Sequence, residues 1–156
     1  MIEFGVEPLL TAQPDIQSLV PAQWEHTGDK GISAMPNWPL YYQFASHDAL
    51  MVVMARDSGE PVGYMVAFIY PHPNAMSVTV ASIPTYYVAE RPTRALVLSR
   101  MQDFMIARLA ERGVYRADIE TSADFSAGRL WELKGFKLAK LGYSMQLQRP
   151  AGERYA

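Results

Sequence analysis

From Tyr86 to Gly113 the chain reads YYVAERPTRALVLSRMQDFMIARLAERG, and no other stretch constrains the fold so closely. Tyr86, Tyr87 and Val88 have strand character, a short turn follows around Pro92, and a long amphipathic helix runs on to Gly113. Helical spacing puts Val97, Leu98, Met101, Phe104, Met105 and Leu109 on one broad face, with Arg100, Asp103 and Arg108 towards the other. Such a helix lies on a sheet, its methionines filling core, and Gly113 supplies its stop. Its N-terminus presents free backbone N–H groups and the positive end of the dipole, the form of a phosphate-holding strand–turn–helix. The segment Arg94-Ala95-Leu96-Val97-Leu98-Ser99 contains no glycine, which leaves a Cβ between the backbone and an approaching anion.

The remaining pattern supplies the sheet. Leu50–Arg56 and Val62–Tyr70 are β-rich runs joined by Asp57-Ser58-Gly59-Glu60, which predicts a hairpin. Pro71-His72-Pro73-Asn74 forms the next turn, followed by a strand from about Ser77 to Val88, bent or bulged near Pro84. Beyond the long helix, Tyr115–Thr121 reads as a strand, Phe125–Leu133 as a short helix stopped near Gly135, and Lys137–Gln148 as a final strand. The first part, to about Asp48, is broken by Pro8, Pro14, Pro21, Pro36 and Pro39. It is expected to be irregular, with short helices at Asp15–Trp24 and Pro39–Ala45 and an exposed loop from His26 to Gly31. Hairpins followed by strand–helix–strand–helix–strand imply a mixed α/β sheet with helices on its faces.

Composition excludes several classes of function. A length of 156 residues suits one domain, with a 50–148 core and a short tail at 149–156. Lys plus Arg number 14 against 16 for Asp plus Glu, so the basic footprint of a nucleic-acid binder is absent. With no cysteine there is no thiol nucleophile, and the three histidines lack metal-ligand spacing. The N-terminus lacks the pattern of a signal peptide and no apolar run reaches membrane-span length, so a soluble cytoplasmic protein is expected.

Four segments now stand in a familiar order. Leu130-Trp131-Glu132-Leu133-Lys134-Gly135-Phe136 resembles the L-Y-E-K-x-G-F segment of the GNAT acetyltransferase superfamily. Val88 through Ser99 corresponds to that family's strand–turn–helix with Gln/Arg-x-x-Gly-x-Gly/Ala. The hairpin from Ala55 to Tyr64 is similar to its glycine-containing turn, and Glu111-Arg112-Gly113-Val114 to its helix exit. The resemblance covers roughly Leu50 to Leu147. With Met35–Tyr42 and Tyr70–Pro73 included, the combination is most like members encoded by bacteriophages.

The resemblance implies acetyl-coenzyme A in a V-shaped gap between two central parallel strands, here Thr85–Val88 and Tyr115–Thr121. The pantetheine arm would pair with Tyr86, Tyr87 and Val88, and the pyrophosphate would sit on Arg94, Ala95, Leu96, Val97, Leu98 and Ser99. Trp131 occupies the place of a tyrosine whose hydroxyl can act as general acid; an indole offers only one N–H, and the alternative is a packed aromatic. Asp124 takes the place of an asparagine that contacts the cofactor, or is the N-cap of the Phe125 helix. Strand alternation sets Arg116, Asp118 and Glu120 on one face, which makes Glu120 either a general base at the gap or part of a solvated face. His72 is a base candidate or simply part of a turn, and Tyr143 a replacement acid or a packed strand aromatic.

Two functions follow from these residues. One is an N-acyltransferase passing an acetyl group from acetyl-coenzyme A directly to an amine on a small molecule or a protein. The other is a binding module of the same fold without turnover, for instance a phage factor docked on a host protein. Trp38-Pro39-Leu40-Tyr41-Tyr42 offers such a module a surface, or an enzyme a wall for its acceptor pocket. A final strand left at a sheet edge could pair in a homodimer; otherwise the chain is a monomer.

Overall fold

The computed structural model describes residues 1–27, 34–121, 127–140, 142–145 and 147. Five strands form one sheet in chain order: β1 (Ile2–Val6), β2 (Leu50–Asp57), β3 (Glu60–Pro71), β4 (Thr79–Val88) and β5 (Arg116–Ile119). All pairings are antiparallel except β4 with β5. The predicted hairpin is β2–β3, turned by Ser58 and Gly59 with φ of 52° and 89°, the left-handed pair that a two-residue hairpin loop requires.

Alternation along β2 divides the interior into two layers. Met51, Val53 and Ala55 face helix α3 (Arg94–Glu111), meeting Val97, Met101, Met105 and Leu109. Val52 and Met54 face α1 (Leu9–Thr27) and α2 (Trp38–Ser46), where they join Leu9, Ala12, Ile16, Val20, Tyr64, Val66 and Tyr87. Gly113 ends the α3 segment with φ 78°, as its stop role predicts. A short α4 (Gly128–Leu133) follows β5.

The N-terminal expectation needs correction. Ile2–Val6 is a strand, in register with Val53–Asp57, and it went unread because a glycine interrupts a run of only five residues. The first helix spans Leu9–Thr27, passing through Pro14 and Pro21 and taking in His26 and Thr27; residues 28–31 of the expected loop lie outside the described residues. Both prolines are exposed, while Leu9, Ala12, Ile16 and Val20 keep helical spacing on the buried side. Burying that face outweighs the missing backbone donors. Arg56 of β2 ties this helix to the sheet through Asp15 at 2.7 Å, and the link before it through Glu7 at 2.7 and 2.8 Å.

The C-terminal half also departs from expectation. Helix α4 begins at Gly128 with Ala127 at its N-cap, and Asp124 lies outside the described residues. The expected final strand Lys137–Gln148 is not formed among the described residues of that span. Leu138, Tyr143, Met145 and Leu147 are exposed there, so alternating apolar residues alone did not secure a pairing partner. β5 therefore stands at the sheet edge among the described residues, rather than at its centre.

Candidate active site

The site originates in one irregularity. β4 pairs with β5 only from Val80 to Ile83, and at Ile83–Pro84 the register of β4 against β3 slips, with Phe68 opposite Ser82 but Val66 opposite Thr85. Pro84 has no N–H to give a ladder, so the bulge predicted near it is where β4 turns away from β5. Beyond it Glu120 donates its backbone N–H to the Ile83 carbonyl at 3.3 Å, the last link before the strands part. A cleft of about 470 Å³ opens there.

Its walls come from every layer of the fold: Val20, Gln23 and Trp24 of α1, Met35 and Pro36, Tyr41 of α2, Tyr64 of β3, Pro84–Val88 of β4, Arg94 and Leu98 of α3, and Glu120 and Thr121 after β5. Ala89 donates its N–H to Val62 on the β3 side, so alternation turns the peptide groups of Tyr86 and Val88 towards the gap. Gly63 permits this part of β4 to lie close, because a Cβ there would stand 2.7 Å from the Tyr87 carbonyl oxygen.

At one end of the cleft is the start of α3. Arg94 donates its N–H to the Arg91 carbonyl at 3.1 Å and Val97 to that of Thr93 at 2.9 Å, leaving the N–H groups of Ala95 and Leu96 as first-turn donors. The Arg94 guanidinium lies 5.5 Å over the Tyr87 ring and pairs with Glu90 at 2.9 Å. The preceding turn is anchored by Arg91, paired with Asp57 at 2.7 Å. Arg91, with the chain's amino terminus, holds the Asp57 carboxyl below the usual carboxylate range. Val97, whose β-branch crowds the turn on paper, is buried in the core under α3, and Ala95 and Leu96 are exposed. The donor set of N–H groups plus a guanidinium fits a pyrophosphate without glycine, since the bulk points elsewhere.

At the other end polar groups satisfy one another. The Tyr64 hydroxyl donates to Gln23 Oε1, and Gln23 Nε2 donates to Thr85 Oγ1 at 3.1 Å. Burial pushes the Tyr64 phenol up to about 12 and raises that of Tyr41 as well, so both are neutral donors and not bases at pH 7. Tyr41 is braced edge-on by Trp38 at 5.6 Å and Phe68 at 5.4 Å, which makes the aromatic run of α2 a wall of this cleft.

Of the residues singled out in the sequence, Tyr86, Tyr87, Val88, Arg94, Leu98 and Glu120 converge on the cleft. Glu120 lines the cleft while remaining exposed to solvent, just past the end of β5 at Ile119; Arg116 and Asp118 pair with each other at 3.2 Å and do not line it. Trp131 is buried and stands edge-on to Tyr86 at 5.1 Å, its indole N–H without a partner among the described residues. It supports the cleft wall from behind, in keeping with a packed aromatic. Ala95, Leu96, Val97 and Ser99 do not line the cleft. His72 is misplaced by the sequence reading: it sits in the β3–β4 turn, its Nδ1 accepting from the Asn74 N–H at 3.0 Å. From there to Thr85 the strand runs about 20 Å. Tyr143 is 95% exposed and outside any strand, so it forms no wall of the site. Sequence reasoning missed Gln23, Trp24 and Tyr64, whereas Tyr41 belongs to the aromatic run read as a possible pocket wall and Thr85 to the strand read as one side of the gap. Among the described residues no helix is long and apolar enough to cross a membrane.

No family model matches the sequence, and no curated protein sequence does. Solved structures do match. A predicted acetyltransferase with acetyl-CoA from Clostridium acetobutylicum superposes with a TM-score of 0.71 at 13% identity, covering 94% of this chain and 97% of that one. Glucosamine-6-phosphate N-acetyltransferase from Arabidopsis thaliana gives 0.70 at 13% identity, covering 95% and 99%. Ribosomal-protein-alanine N-acetyltransferase from Brucella melitensis biovar Abortus gives 0.67 at 15%, covering 94% and 100%. The chain thus has the fold of the GNAT N-acetyltransferases over nearly its whole length.

Proposed function

We propose that this protein is an N-acyltransferase that moves an acetyl group from acetyl-coenzyme A directly to an amine. The observation that carries the reading is the parting of β4 from β5 at Pro84, which opens one cleft between the α3 N-terminus and a carboxylate. Ala95, Leu96 and Arg94 would hold the pyrophosphate, and the peptide groups of Tyr86 and Val88 would pair with the pantetheine arm. Acetyl-coenzyme A would supply an acyl group activated as a thioester. Glu120 takes the proton that an ammonium must lose before its nitrogen can attack, and the strand N–H groups favour the oxygen on which charge develops. One N–C bond would form and one C–S bond would break, the departing thiolate taking its proton from water.

The test is release of free thiol from acetyl-coenzyme A with a panel of amines, comparing the native protein with Glu120→Gln. Loss of a general base lowers kcat by about 100-fold with little change in the affinity for acetyl-coenzyme A. An unchanged kcat would remove Glu120 from the mechanism, and no turnover with any amine would remove the reaction. A second reading, a binding module docked on a host protein, draws on Trp131: the place where the resemblance expects a hydroxyl holds a buried indole. Tight cofactor binding without acetyl transfer to any amine or host protein is the result that would favour it.

A further inference from the structure

We infer that the acceptor is a monocationic primary amine carried on an apolar aryl or alkyl stem, an inference that rests on the transferase reading above. Away from α3, the cleft is lined by Trp24, Tyr41 and Tyr64, supplied by α1, α2 and β3, while the Tyr87 ring lies under the Arg94 guanidinium. Rings held on three separate elements give a fixed apolar box whose faces attract an ammonium as well as covering its stem.

Charge and hydrogen bonding narrow the class. Among the described lining residues Glu120 is the one carboxylate and Arg94 the one cation. A single ammonium is neutralised by Glu120, while a second or third on a polyamine would lose water with no further carboxylate among the described lining residues to meet it. A phosphorylated acceptor would need a cation in the box, but Arg94 lies at the α3 end and is paired with Glu90. Sugar hydroxyls would need free donors and acceptors, whereas the wall's Tyr64, Gln23 and Thr85 are already hydrogen-bonded to one another. The box thus favours stem area and one charge over many polar groups.

The experiment compares phenethylamine and hexylamine with spermidine and glucosamine 6-phosphate, by initial rates at saturating acetyl-coenzyme A and by calorimetric binding of each amine to the native protein. The two monoamines are expected to exceed the others by at least about 100-fold in kcat/KM and about 10-fold in affinity. Trp24→Ala should raise the phenethylamine KM by about 10-fold while the acetyl-coenzyme A affinity stays within about twofold. Preference for spermidine or the sugar phosphate, or equal binding of all four, overturns the inference. Failure of the transferase reading is distinguished by the absence of acetyl-coenzyme A binding, in which case amine binding alone still decides the specificity of the box.

Discussion

Replacing Gly63 by alanine tests whether the cleft depends on close approach of β3 and β4. A Cβ at that position would lie 2.7 Å from the Tyr87 carbonyl oxygen, 3.1 Å from Val88 Cγ2 and 3.3 Å from Val88 Cα. Two of those atoms are backbone, so no side-chain rotation relieves the overlap, and the strands must part by several tenths of an ångström. Such overpacking costs about 1–3 kcal/mol, against which the stiffer unfolded chain returns at most about 1 kcal/mol. For a domain of this size each kcal/mol moves Tm by roughly 2–4 °C, so a net loss of about 0–3 kcal/mol lowers the melting point by up to roughly 12 °C. Gly5→Ala is the matched control, because it too lies in a strand but a Cβ there meets nothing within 4 Å. Urea unfolding followed by circular dichroism, with m unchanged, gives the difference between the two variants. Equal midpoints for Gly63→Ala and Gly5→Ala would refute the steric argument.

Two further outcomes rest on buried polar groups. The Tyr64 phenol, pushed up to about 12 by burial, keeps its proton in the folded state above pH 10 while the unfolded chain loses it. Stability should therefore fall as pH rises from about 10 to about 12, and Tyr64→Phe should flatten that slope in unfolding measured across the range. Gln102 of α3 is 1% exposed with neither amide atom partnered among the described residues. Gln102→Met, of similar volume, should raise stability by about 1–2 kcal/mol in the urea midpoint, and a loss of stability would show that the amide has a partner.

The parts of this fold legible in the sequence are those where local chemistry and tertiary packing agree. Ser58-Gly59 demanded a left-handed turn, and the apolar face of α3 matched the sheet it covers. Pro84 marked the irregularity from which the cleft grows. The failures come where long-range contacts override local signals. Pro14 and Pro21 read as breaks, yet the face of Leu9, Ala12, Ile16 and Val20 carries the helix through both. His72 was assigned on its chemistry and its place in a proline-flanked turn, and the length of β4 removes it from the cleft. The aromatic wall of the cleft was the least legible part, since Trp24, Tyr41 and Tyr64 are scattered along the chain and meet only through the sheet and α1–α2 packing.

Titration calorimetry with acetyl-coenzyme A, on the native protein and on Arg94→Ala, most directly tests the claim that the gap between β4 and β5 holds this cofactor. The account predicts saturable binding at one site per chain, weakened by about 10-fold when the guanidinium at the α3 N-terminus is removed. Absence of binding at millimolar ligand, or affinity indifferent to Arg94, would contradict it.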